Sequence, residues 1–130
     1  MSKKTPKEPS LHLNLKHGKV ICRLFSDIAP NHVKRIIELV EDKYYDNVVF
    51  HRVIEGFMAQ TGDVQYGNKL KGFSKDRCGM GGSNKSNLKQ EFSEIPFDKG
   101  ILGMARSQDP NSANSQFFIM LQDGHFLNGN

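Results

Sequence analysis

A chain of 130 residues with 37% hydrophobic and 25% charged residues has the size and balance of a single globular domain. The formal charge of +4 comes from basic residues scattered among acids, which argues against a nucleic-acid surface. No apolar run approaches the roughly 18 residues that a membrane span needs.

Residues 1–10 carry lysines with no apolar run behind them, so they predict a disordered lead-in rather than a secretory signal. The two cysteines, Cys22 and Cys78, have no metal or redox spacing. They are expected as reduced thiols in a cytoplasmic protein.

Leu11, Leu13 and Leu15 alternate with polar residues, the period of a strand. A second strand is predicted over 20–25, and the turn candidate at 16–19 makes the pair a hairpin. A helix follows, with Asp27 as a candidate cap, Pro30 in the first turn and Val33, Ile36, Ile37 and Val40 on one face. Residues 48–54 and 57–61 read as strands broken at Gly56. The stretch from 62 to about 99 is rich in Gly, Lys, Ser and Asn, and a loop of that length inside a domain usually carries function. Two more strands are expected over 101–105 and 116–121, joined by a polar turn. Many short strands with one helix predict a mainly β fold, an antiparallel closed β-barrel with a capping helix.

Three runs could carry chemistry. In a strand, Phe50, Arg52 and Ile54 share one face, while His51 faces the other way with Val49 and Val53. His51 then reads as a structural histidine with its partners satisfied. Arg52 taken alone reads as a surface charge, and Phe57 and Met58 read as core. Gln60 needs partners if buried. Alternation also pairs Gln116 with Phe118, opposite Phe117 and Ile119. A glutamine beside a phenylalanine suits an apolar pocket with polar edges. Asp63 reads as a turn residue. The five histidines show no ligand spacing, so neither metal nor cofactor is expected.

The run from Phe50 to Gln60 resembles the first signature of the cyclophilins. Gly100 to Arg106, followed by Asn114 to Ile119, resembles the second. The similarity extends from about Leu11 to the end of the chain, and Met104-Ala105-Arg106 is closest to bacterial cytoplasmic members. The resemblance implies the cyclophilin barrel and peptidyl-prolyl cis-trans isomerase activity on proline-containing peptides and unfolded proteins. It implies that Arg52 is catalytic, and that Phe57, Met58, Phe118 and Leu127 line a proline pocket. Gln60 and Gln116 would hydrogen-bond near the isomerising peptide, with the backbone of Ala105 and Arg106 alongside it. Phe126 occupies the place of a tryptophan in many eukaryotic members, which implies weak cyclosporin binding. The expected protein is a monomer without nucleic-acid or membrane partners. The alternative is a proline-peptide binding module or chaperone that does not turn over. Cyclophilins continue past the equivalent of Asn130 with further strands and a helix, so residues 11–130 are expected to be an isomerase domain lacking its C-terminal part.

Overall fold

The computed structural model describes residues 9–16, 18–25, 28–91, 98–107, 109 and 111–122. Strands β1 (Ser10–Leu15) and β2 (Gly18–Arg23) form an antiparallel hairpin, in register from Ser10 opposite Arg23 to Leu15 opposite Gly18. The Leu24 N–H donates to the Pro9 carbonyl at 2.8 Å, so the pairing reaches one residue past the sheet. Leu11, Leu13 and Leu15 share one face of β1, and burial falls along it from Leu11 in the core, through half-buried Leu13, to exposed Leu15 at the turn.

Helix α1 (Pro30–Glu41) begins with Pro in its first turn, as predicted, but its N-cap is Ala29, which has no side chain able to cap. The exposed N–H groups are taken by Glu91 instead. The Asn31 N–H donates to one carboxylate oxygen at 3.1 Å and the His32 N–H to the other at 2.9 Å. His32 Nδ1 pairs with the same oxygen as its own N–H. The buried stripe is also rotated from the predicted one. It comprises His32, Val33, Arg35, Ile36 and Leu39, while Val40 is exposed. The two polar members can turn inward because their groups are partnered. Arg35 donates to the Ser86 carbonyl at 2.6 Å and the Asn114 carbonyl at 3.3 Å.

Strands β3 (Arg52–Ile54), β4 (Met58–Thr61), β5 (Leu102–Met104) and β6 (Phe117–Met120) form a second, antiparallel sheet in the order β3-β4-β6-β5. The predicted strand over 48–54 is cut to its last three residues. Its first part pairs elsewhere: Val48 bridges Asn68, and the Val49 N–H donates to the Gly67 carbonyl at 2.9 Å. Gly56 turns the β3–β4 hairpin at φ +73°, a left-handed conformation that suits glycine.

Leu11 and Leu24 of the hairpin, Val33 and Ile36 of α1 and Phe117 of β6 form one buried cluster. Tyr45 sets its ring edge-on to Phe117, with centroids 5.7 Å apart, and its hydroxyl donates to the Ser115 carbonyl at 2.7 Å. The protein is therefore mainly β, with one helix tying the two sheets together among the described residues. None of its described helices is long and apolar enough to cross a membrane.

Candidate active site

Register across the second sheet brings three of the predicted residues into one row. Arg52 lies opposite Gln60, and Gln60 opposite Phe118. A neighbouring row on the same face contains Ile54, Met58 and Met120. Arg52, Phe57, Met58, Gln60, Ala105, Arg106 and Phe118 all line one cavity of about 950 Å³. Phe57 reaches it from the hairpin turn, where its N–H donates to the Ile54 carbonyl at 3.0 Å. Ala105 follows β5 and is anchored by an N–H bond to the Gln116 carbonyl at 2.9 Å. The cavity is also lined by Leu24, Val33 and Ile36, so it is larger than a proline ring requires.

Gln116 lies just beyond that cavity and lines a second one of about 460 Å³ with Gln60, Ala105 and Arg106. The two glutamines are joined, Gln60 Nε2 donating to Gln116 Oε1 at 2.9 Å. Gln116 Nε2 in turn donates to the carbonyls of Gly79 and Gly81, at 2.9 and 2.8 Å. This fixes the orientation of both amides: Gln116 spends both donor hydrogens on the loop and presents its oxygen to Gln60. Phe126 and Leu127 lie outside the described residues.

Asp63 is more than a turn residue. It is fully buried, and its carboxylate accepts four backbone N–H bonds. Gln65 and Tyr66 donate to one oxygen at 3.0 and 2.8 Å, and Gly79 and Gly81 to the other at 2.7 and 3.0 Å. Both ends of the 64–81 loop are thus fastened to one side chain. Asn114 fastens the next stretch, accepting from the Ser83 N–H at 2.8 Å and its hydroxyl at 2.6 Å, and donating to the Lys85 carbonyl at 3.0 Å. Sequence reasoning missed Asp63 and Asn114 as organising residues. The available signal was an acid next to Gly62 facing the run 79–82, itself rich in glycine.

His51 differs from its prediction as a satisfied structural histidine. Its Nδ1 is buried and has no hydrogen-bond partner among the described residues. The strand that would have aimed it is absent at 51, and the Gly79 backbone packs on the ring instead, so that a Cβ there would meet Cδ2 at 3.2 Å. Burial pushes the imidazole pKa below its ordinary 6.5; Asp63 opposes that shift and Arg52 adds to it. Among the described residues no group of three or more His, Cys, Asp or Glu is placed to hold a metal.

Nothing in this arrangement supplies a nucleophile paired with a base. It offers a cation and two oriented amides at the edge of an apolar cavity. Comparison with known proteins gives that geometry a family. Residues 10–130 match the family model for cyclophilin type peptidyl-prolyl cis-trans isomerase/CLD. The chain is 59% identical over 122 residues to "Probable peptidyl-prolyl cis-trans isomerase" of Brucella suis biovar 1, covering 94% of this chain and 62% of that protein. It therefore spans less than two thirds of that relative's length. A crystal structure of a Cryptosporidium parvum cyclophilin type peptidyl-prolyl cis-trans isomerase superposes with a TM-score of 0.80 at 30% identity, over 94% of this chain and 72% of that one. A second structure of it, in the presence of the dipeptide Ala-Pro, gives a TM-score of 0.79 at 31% identity over 93% and 73%. With almost the whole chain matched and the same two runs of residues meeting at one cavity, the protein belongs to the cyclophilin-type peptidyl-prolyl cis-trans isomerase family.

Proposed function

We propose that the chain accelerates cis-trans isomerisation of X–Pro peptide bonds in peptides and unfolded proteins, with Arg52 as the catalytic residue. The observation that carries this reading is the cross-strand row of Arg52, Gln60 and Phe118 at the cavity. The Ala-Pro dipeptide present with the Cryptosporidium relative supports the same substrate class.

Rotation about a peptide bond meets a barrier of about 18–20 kcal/mol, because resonance gives C–N partial double-bond character. No bond breaks, so no proton shuttle is required. A donor aimed at the proline nitrogen draws its lone pair out of resonance. Arginine is always charged and rich in donors, which suits it to that task. Raising a rate from ~0.01 to ~1000 per second requires about 7 kcal/mol. One charged hydrogen bond contributes roughly 1.5–3 kcal/mol. The remainder comes from holding the peptide while it twists, a task for the oriented Gln60 amide and the apolar wall of Phe57, Met58 and Phe118.

The described sheets further support closure into the antiparallel cyclophilin barrel, since Leu11 and Leu24 of one and Phe117 of the other share a core. We place the protein in the cytoplasm as a monomeric folding catalyst. With Phe126 at the tryptophan position it should bind cyclosporin weakly, and Phe126→Trp should tighten that binding by roughly one to two decades. The decisive experiment is a protease-coupled assay on a short Ala-Pro peptide. Arg52→Ala should lower kcat/KM by about 10²–10³-fold with folding unchanged. A variant retaining more than half the activity would exclude Arg52, and no turnover by the unmodified chain would exclude the isomerase in favour of a binding module.

A further inference from the structure

The loop spanning 65–80 begins and ends at the Asp63 carboxylate, so its neck is closed, the arrangement of an Ω-loop, and its 67–69 stretch is held against 47–49, the Lys69 N–H donating to the Asn47 carbonyl at 2.9 Å. Its backbone is folded on itself. Asn68 Oδ1 accepts the N–H groups of Leu70 and Lys71 at 2.9 and 3.2 Å, and the Ser74 N–H donates to the Tyr66 carbonyl at 3.1 Å. Gly72 turns it at φ +71°. On this ordered body three large apolar side chains face water: Leu70 is 70% exposed, Phe73 48% and Met80 79%. Lys69, Lys71, Lys75 and Arg77 stand among them with Asp76 as the single acid of 69–77, and Arg77 lies over the Tyr66 ring at 5.9 Å.

None of this is used by the isomerase site, yet the loop is joined to it. Gln116 donates to the carbonyls of Gly79 and Gly81 through its amide nitrogen and accepts from Gln60 at its amide oxygen, and Met80 itself lines the second cavity with Gln60 and Arg106. Met80 therefore links the exposed surface of the loop to the rim of the site. Leu70 and Phe73 are exposed and line neither cavity described above, so they suit an adaptable partner rather than a small molecule.

We propose that residues 65–80 are a docking site for unfolded client segments in which apolar side chains alternate with carboxylates. This rests on the isomerase reading and adds a substrate preference to it. Leu70, Phe73 and Met80 take apolar side chains out of water, and the surrounding lysines favour an acidic segment over a basic one. The ordered backbone limits the entropy lost on binding. Tethering the client beside Gln60 raises the local concentration of its X–Pro bonds, so the effect falls on KM rather than kcat.

The test uses the full chain and peptides sharing Ala-Ala-Pro-Phe. One is bare. Others are joined, before or after that unit, to ten residues containing leucine, phenylalanine and three aspartates, or the same tail with lysines for aspartates. The acidic tail should raise kcat/KM roughly tenfold, mainly through KM, and the lysine tail should not. Leu70→Ser with Phe73→Ser should abolish the gain while leaving the bare peptide unchanged. Equal values for bare and tailed peptides, or a gain that survives the double substitution, would overturn the proposal. If no peptide turns over, the isomerase reading fails, and fluorescence anisotropy of the labelled acidic tail still decides the docking site. Binding weakened about tenfold by the double substitution supports it; no binding, or binding unchanged by the substitutions, overturns it.

Discussion

The second sheet and the loop that leaves it after β4 flank the same site, but they are held by different means. Across β3, β4, β6 and β5 the backbone bonds to itself, and side chains are positioned by register, as with Arg52, Gln60 and Phe118. Over 62–91, much of the backbone is held by side chains remote in sequence: Asp63, Asn114, Gln116 and Arg35. A ladder fixes many residues at once and tolerates most single changes outside the core. A loop held by a few carboxyl and amide groups depends on each of them, so its order is concentrated in a handful of atoms.

That contrast can be broken first from the sheet side. Phe117 is 2% exposed and joins both sheets to α1, so Phe117→Ala should cost about 3–5 kcal/mol of global stability, read as a lowered denaturant midpoint. Asp63→Ala tests the loop side. It leaves four N–H groups without their acceptor, and we expect a loss of about 2–3 kcal/mol because part of the loop can turn to water. Hydrogen exchange should then quicken at Gln65, Tyr66, Gly79 and Gly81 before it quickens in β4 and β6. Equal acceleration in both regions would mean that loop and sheet open together.

A smaller effect is expected at the helix. Glu91→Ala removes the cap of α1 and should cost about 1–2 kcal/mol, with exchange quickening first at Asn31 and His32. Burial alone would raise the Glu91 pKa, but the bonds from His32 and Asn31 outweigh it and hold the carboxyl below its ordinary 4.5. Its contribution is therefore present above pH 4.5 and lost as pH falls through the lower folded value.

The smallest effect belongs to His51. Its pKa is depressed in the folded protein, so below pH 6.5 the unfolded chain binds the proton more readily and stability declines as pH falls. Denaturant midpoints at several pH values should show that decline, and His51→Gln should flatten it. Above pH 6.5 the ring is neutral and the guanidinium group of an arginine keeps its charge, so the isomerase rate should stay level up to pH 8.

The same contrast explains what could be read in advance. Alternation located β1 and separated Phe117 in the core from Phe118 at the cavity, and β2, β4, β5 and β6 fall on stretches expected as strands. Periodicity failed where polar side chains are buried. His32 and Arg35 belong to the hidden stripe of α1 only because Glu91, Ser86 and Asn114 meet them there. It failed again at 48–51, where β-forming residues pair with Asn68 and Gly67 instead of extending β3. The row of Arg52 with Gln60 and Phe118 needed register between segments far apart in the chain. The resemblance of two short runs to a family supplied those residues; local pattern alone left Arg52 a surface charge.

The reach of Glu91 back to α1 also bears on the order of events during synthesis. The residue that completes the helix N-terminus lies 60 positions downstream of the N–H it receives. At roughly 5–20 residues per second, a ribosome that has just released the helix needs several seconds more to supply its cap. During that interval α1 has its apolar stripe but open N–H groups at its start, and a 12-residue helix is marginal without tertiary support. Firm docking of the helix then waits for the loop, so the hairpin and helix form early but consolidate late.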